Sequence, residues 1–228
     1  MFTVALVGPD GAGKTTVARR LERELGLPVE YLYMGVSAGS SNRLLPTTRL
    51  AHALKRAGGA PPDTAGPREP ESVRRAAPGG IVKRARRSIR SSLRLVNRLA
   101  EEWNRQLLAA RFVRRGSIVV FDRHFFADYH AYDVAGGEGR SLSRRLHGFL
   151  LVHAYPRPDL VVCLDAPGEV LHARKGEGTV ELLERRRHDY LRLREVSGSF
   201  EVVDATQPLD DVTQAVAERI RRFQAARR

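Results

Sequence analysis

Near the start of the chain, Gly8-Pro9-Asp10-Gly11-Ala12-Gly13-Lys14-Thr15 fits the spacing G-x-x-x-x-G-K-[ST], a pattern whose chemistry is phosphate binding. Glycines let the backbone bend until successive N–H groups point inward at phosphate oxygens, and a helix beginning at the end of the turn adds a favourable dipole. Lys14 is placed to reach the β and γ phosphates of a nucleoside triphosphate as a point charge, and the Thr15 hydroxyl to ligate Mg²⁺. The expected ATP surface therefore runs over Gly8, Asp10, Gly11, Ala12, Gly13, Lys14, Thr15 and Thr16. Asp10 is the awkward member, because a carboxylate inside a phosphate cradle repels its ligand. It is expected to point outward and to bind an acceptor hydroxyl or assist the metal. The alternative is a turn residue bonded to its own backbone.

A second cluster lies at residues 124–133, where His124, Phe125, Phe126, Asp128, Tyr129, His130, Tyr132 and Asp133 combine imidazoles, carboxylates and aromatics. The segment follows an apolar run, so it reads as a loop leaving the carboxyl edge of a sheet, where open α/β sheets bind ligands. Phe125, Asp128 and Tyr129 are expected to line an acceptor pocket, with core packing the alternative for Phe125. Trp103 reads as a core anchor at helical spacing, or as a ring stacked on an acceptor. The basic run Lys83, Arg84, Arg86, Arg87, Arg90, Arg94 and Arg98 reads as a solvated helix face, or as a contact for a polyanion or an acidic membrane.

These residues need a scaffold, and the hydrophobic pattern predicts one. Short apolar runs at 2–7, 29–33, 117–121, 160–164 and 200–203 read as buried strands. Helical spacing covers 14–25, 142–153, 180–195 and 209–223. Between 81 and 114, apolar residues at Ala85, Ile89, Leu93, Val96, Ala100, Trp103, Leu107 and Ala110 predict one long amphipathic helix or a bent pair. Alternating strands and helices imply an α/β fold with a mainly parallel sheet covered on both faces. Residues 35–80 are rich in Gly, Pro, Ser and Arg with weak periodicity, and 58–80 read as mobile or disordered. The 228 residues make one domain with a basic insertion at about 36–80.

A mean hydropathy of −0.34 and 42% hydrophobic residues suit a water-soluble globular protein. No apolar run is long enough to cross a bilayer and no secretory leader opens the chain, so a cytoplasmic location is expected. Cys163 is the only cysteine, which excludes an intrachain disulfide or a thiolate cluster. The net charge of +13 attracts anions, whether nucleotide, nucleic acid or acidic membrane, and does not choose among them.

Taken in order, several segments resemble the thymidylate kinase-like branch of the nucleoside monophosphate kinases. GPDGAGKTT is similar to that family's phosphate loop, SIVVF followed by Asp122-Arg123 to its aspartate-arginine motif, and RPDLVVCLDAP to its fourth strand. HARKGEGTVELLERRRHDY resembles its arginine-bearing lid, and VVDATQPLDDV its base-binding loop. The resemblance implies a five-stranded P-loop three-layer fold with an Arg-rich lid at about 174–187. It implies a kinase using ATP and Mg²⁺ on a small-molecule acceptor, most simply a nucleoside monophosphate, and a homodimer built through helices. By the same resemblance Lys14, Asp122, Arg123 and Arg174 are catalytic. Arg174 and Arg185 then meet the triphosphate, and Asp204, Ala205 and Thr206 edge the base.

The physics of these residues agrees. Arg123 has the planar fork that suits an acceptor phosphate, and Asp122 can hold Mg²⁺ through water or orient the acceptor. Of Arg185, Arg186 and Arg187, consecutive on a helix, only one or two can face the same ligand. The departures concern the acceptor. Tyr33-Met34-Gly35-Val36-Ser37 stands where the family carries Arg-Glu-Pro-Gly-Gly, and Ala100-Glu101-Glu102-Trp103 where it presents an arginine and a polar residue. Arg68-Glu69-Pro70 occurs only inside the insertion. The rival from another class is a nucleotide-sensing or nucleic-acid-binding module that uses the turn for occupancy alone.

Overall fold

The apolar runs form strands because both of their faces find cover. In a computed structural model that describes residues 1–35, 45, 81–135 and 142–227, five strands form one sheet. They are β1 (Thr3–Val7), β2 (Val29–Tyr33), β3 (Ile118–Asp122), β4 (Leu160–Asp165) and β5 (Phe200–Asp204), in the order β2-β3-β1-β4-β5 with every pair parallel. Side chains alternate: Val4, Leu6, Ile118, Val120, Leu160, Val162 and Leu164 enter one apolar cluster, and Ala5, Val7, Val119, Phe121, Val161 and Cys163 the other. Each fully buried aliphatic side chain contributes about 1.5–3 kcal/mol relative to exposure.

The first cluster is closed by α1 (Lys14–Leu25), through Val17, Ala18, Leu21 and Leu25, and by α7 (Leu209–Ala226), through Val212, Val216, Ala217 and Ile220. The second is closed by α2 (Ile81–Arg114), α3 (Phe125–Tyr129) and α4 (Leu142–His153). Two further helices, α5 (Gly168–Lys175) and α6 (Val180–Leu191), follow β4, and Leu171 and Leu183 tie them to the first cluster. The result is α/β in three layers with an all-parallel sheet, consistent with a P-loop fold. No helix among the described residues is long and apolar enough to cross a membrane. The expectations for residues 36–80 other than Leu45, including Arg68-Glu69-Pro70, fall outside the described residues, as do the side chains of the basic run from Lys83 to Arg94.

Three features differ from the sequence expectation. First, α2 is one continuous helix, and where its side chains are described the stripe expected to face the core does not: Val96, Trp103 and Leu107 are exposed. The buried face carries Glu101, Glu102, Arg105, Gln106, Ala109 and Phe112 instead. Helical spacing identifies a stripe but not its facing, and here partners elsewhere in the chain decide it. His147 on α4 lies with Nδ1 2.6 Å from Asp133 and Nε2 3.0 Å from Glu102, while the Tyr155 hydroxyl donates to Glu102 at 2.9 Å. Burial disfavours a charged ring, but these carboxylates outweigh it and hold the His147 pKa above the ordinary histidine range. Second, residues 124–133 are not a loop: α3 runs directly into a π-helical turn, His130–Val134. Third, the helix expected at 180–195 ends at Leu191 and tightens into a 3₁₀ turn, Arg192–Glu195.

Candidate active site

Parallel register brings the carboxyl ends of the strands together. Leu6 pairs with Asp122 and Tyr33 with Asp122, Val7 with Cys163, and Asp165 with Asp204. The glycine-rich turn leaves β1 at this edge. Gly8 (φ 138°) and Gly11 (φ 91°) occupy backbone conformations that side chains rarely adopt, and both press on the neighbouring chain. A Cβ on Gly8 would lie 2.5 Å from the Leu164 carbonyl oxygen, and one on Gly11 would lie 2.7 Å from that of Leu171. Backbone cannot swing aside as a side chain can. Gly8→Ala is therefore expected to cost about 2–3 kcal/mol or more, summing strain and steric conflict. A urea titration checks it, and an unchanged midpoint would contradict the account.

Lys14 opens α1 almost fully buried, with Nζ donating to the carbonyl oxygens of Gly8 at 2.8 Å and Pro9 at 2.6 Å. Burial, helped by the nearby Arg123 charge, lowers its pKa to about 8 against the pull of Asp10, Asp122 and Asp128. Next to it the Thr15 hydroxyl donates to Asp122 Oδ2 at 2.6 Å, and Tyr31 donates to the same oxygen at 2.9 Å. The other Asp122 oxygen, Oδ1, is buried with no hydrogen-bond partner among the described residues. A hydroxyl and a carboxylate in contact, with one carboxylate oxygen unmatched, fit a hard divalent cation bound through few protein ligands and water, as Mg²⁺ prefers.

Asp10 is the clearest correction in the turn. It does not point outward: it is 8% exposed and accepts from Arg123 on one oxygen and from Arg186, at 2.9 Å, on the other. Burial alone would raise its pKa, but Arg123 and Lys14 overcome that and hold it at about 2. Two arginines relieve the electrostatic conflict expected of a carboxylate in this position. Arg123 reaches Asp10 from a left-handed conformation (φ 68°), which among non-glycine residues with positive φ is the only one in the described chain. Such backbone costs about 1–3 kcal/mol. An N–H bond to the Leu6 carbonyl, 3.2 Å, and the ion pair with Asp10 offset it.

The arginines of α6 divide as helix geometry requires. Arg186 meets Asp10, and Arg187 makes a two-pronged pair with Asp165, 2.6 Å and 2.9 Å, plus a bond to Glu184. Arg185, the one expected at the triphosphate, is exposed instead. Steps of about 100° around a helix cannot turn all three inward. Arg174 on α5 does not reach the glycine turn either. Its guanidinium donates to the carbonyl oxygens of Ala205 (2.7 Å) and Thr206 (3.4 Å). That loop is self-braced, since Asp204 accepts from the Thr206 N–H and hydroxyl and from the Gln207 amide.

The residues expected around an acceptor separate. Asp128 joins the polar cluster, accepting from the Tyr190 hydroxyl of α6 at 2.9 Å. Phe125 and Tyr129 belong to the second apolar cluster, with Arg105 over the Phe125 ring and Arg98 over the Tyr129 ring. Trp103 is 40% exposed and lies against Tyr155, so it is not a core anchor. Residues the sequence reading missed are Tyr31, Asp165 and Tyr190. The last was findable: Arg186, Arg187 and Tyr190 share one helical face by i, i+3 and i+4 spacing.

No protein-family model matches the chain. Over 105 residues it is 33% identical to a protein of Pyrococcus horikoshii named probable thymidylate kinase, an alignment covering 42% of this chain and 48% of that protein. The chain thus spans about half the length of this curated relative, and over that stretch its similarity is to a protein named as a thymidylate kinase.

Proposed function

We propose that this protein is a phosphotransferase that moves the γ-phosphoryl group of ATP·Mg²⁺ onto a small acceptor. One observation supports this above the others: Lys14 and Thr15 at the start of α1 and Asp122 and Arg123 at the end of β3, more than a hundred positions apart in the chain, meet at the carboxyl edge of the sheet beside the glycine-rich turn. Phosphoryl transfer develops charge on phosphate oxygens, so a protein accelerates it by positioning and by fixed cations. The N–H groups of the turn and Lys14 would bind and orient the triphosphate, while Thr15 and Asp122 would hold Mg²⁺. That ion, when bound, neutralises charge on the phosphates. Arg186 and Arg187 lie on the segment expected to act as a lid, which would exclude water from the site. Arg174 would act at a distance, by fixing the loop of Asp204, Ala205 and Thr206 against which a base could rest.

Similarity to a protein named as a thymidylate kinase supports a reaction of this type, with a nucleoside monophosphate the acceptor its name suggests. The test is ADP release from ATP·Mg²⁺ across nucleoside monophosphates, nucleosides, sugars and other small phosphates. Turnover that depends on an acceptor is the expected result. Salt-sensitive binding to nucleic acid with no acceptor-dependent turnover would instead favour the binding-module alternative.

A further inference from the structure

Phosphate binding gives no use for one of the carboxylates in the site. Asp128 is 6% exposed, and among the described residues its carboxylate accepts a hydrogen bond from a neutral group, the Tyr190 hydroxyl. The charged and titratable groups that face it are Arg123 at the end of β3, Lys14 at the start of α1, Asp10 in the turn, Tyr190 on α6 and Tyr129 on its own helix. It therefore lies within electrostatic reach of the lysine expected at the γ-phosphate.

The guanidinium groups around it are already shared with carboxylates. Arg123 and Arg186 both bond Asp10, and Arg187 bonds Asp165 and Glu184. An acceptor phosphate, with between one and two negative charges at neutral pH, needs cations of its own and would meet two carboxylates here, Asp10 and Asp128. A neutral alcohol meets no such repulsion. It does need something a phosphate acceptor does not, because a phosphate oxygen is already anionic whereas a hydroxyl must lose a proton as it attacks. A protein kinase uses an aspartate for that purpose.

We propose that the acceptor is a hydroxyl-bearing small molecule and that Asp128 is the general base that accepts its proton. This rests on the phosphotransferase reading above. In the step, the acceptor O–H bond breaks and its proton passes to an Asp128 carboxylate oxygen. The acceptor oxygen bonds to the γ-phosphorus while the bond from that phosphorus to the β–γ bridging oxygen breaks. ADP leaves with the electron pair, and the proton later passes from Asp128 to solvent. Burial raises the pKa of Asp128 against the opposing pull of Arg123 and the Tyr190 hydrogen bond, which strengthens it as a proton acceptor.

The test compares wild type with Asp128→Asn, near in shape and unable to act as a carboxylate base. Acceptor-dependent turnover is measured over thymidine, uridine, common sugars and amino alcohols beside the nucleoside monophosphates, and products are identified by phosphorus NMR. The expected product is a phosphate monoester. Asp128→Asn should lower kcat about 10²–10⁴-fold and abolish the acidic limb of the kcat–pH profile, while calorimetric affinity for ATP·Mg²⁺ stays within about threefold. A merely structural role for Asp128 would lower kcat without removing that limb. The proposal is overturned if only nucleoside monophosphates turn over, giving an anhydride, if no hydroxyl compound in the panel turns over, or if Asp128→Asn keeps the rate or the limb. If wild type fails to bind ATP·Mg²⁺, the phosphotransferase reading falls and takes this inference with it.

Discussion

Replacing Lys14 with Met is expected to lower acceptor-dependent turnover about 10²–10³-fold, the usual effect of removing one fixed charge or donor that stabilises a transition state. Methionine keeps most of the aliphatic stem, so the change isolates the ammonium. The same ammonium braces the turn through its bonds to Gly8 and Pro9, so a stability loss of about 1–3 kcal/mol should accompany the kinetic effect. Steady-state rates and a thermal melt separate the two. Burial and the Arg123 charge lower the Lys14 pKa to about 8, and kcat/KM reports ionisations of the free protein. On that basis kcat/KM for ATP should fall as pH rises through about 8, with the ammonium the active form. Turnover of Lys14→Met within a few-fold of wild type would remove Lys14 from the mechanism.

Arg123→Ala should have the other large effect, with two measurable parts. Activity should drop about 10²–10³-fold through loss of a cation at the developing charge. Stability should fall by about 3 kcal/mol, because Asp10 would stay buried with Arg186 as its remaining hydrogen-bonded partner. The variant also keeps a side chain in a left-handed conformation while losing the ion pair that offsets it. The pH dependence follows from Asp10. Its folded pKa is depressed to about 2, so its stabilising contribution is present above the ordinary carboxylate range and is lost as pH falls through about 2. Without Arg123, burial pushes the Asp10 pKa upward and the loss begins at higher pH. An acid titration by circular dichroism should show the variant unfolding at higher pH than wild type. Coincident curves would mean that Arg123 does not hold Asp10 in solution.

The parts of this molecule legible in its sequence are those encoded locally. A strand such as β4 announces itself as a continuous apolar run because both faces are buried, and all five strands fall within about a residue or two of the expected positions. The glycine-rich turn is legible because its motif is contiguous, between a strand and a helix, although the backbone that presses on Gly8 and Gly11, at Leu164 and Leu171, lies far along the chain. What could not be read were pairings across the chain. An outward-pointing Asp10 is what the turn alone suggests, because a carboxylate inside a phosphate cradle repels its ligand. Its partners are Arg123 and Arg186, brought over by β3 and α6. The facing of α2 was misread because its inward face is polar, and only the positions of His147, Tyr155 and Gly35 make that face the better one to bury. Arg105 illustrates the point: it donates to the Gly35 carbonyl at 3.0 Å, an interaction that no periodicity encodes. Adjacency in sequence does not separate Arg185 from its neighbours, and the phase of α6, fixed by Leu183 in the core, favours Arg186 and Arg187.

Whether the cluster at the carboxyl edge transfers phosphate is tested most directly by following the label from γ-labelled ATP in the presence of the acceptor panel, with and without Mg²⁺, in wild type and in Thr15→Val. The account predicts label on an acceptor only when Mg²⁺ is present, and a marked loss of transfer when the Thr15 hydroxyl that contacts Asp122 is removed. Label that stays in ATP, or that appears as inorganic phosphate at a rate indifferent to acceptor and to Thr15, would contradict it.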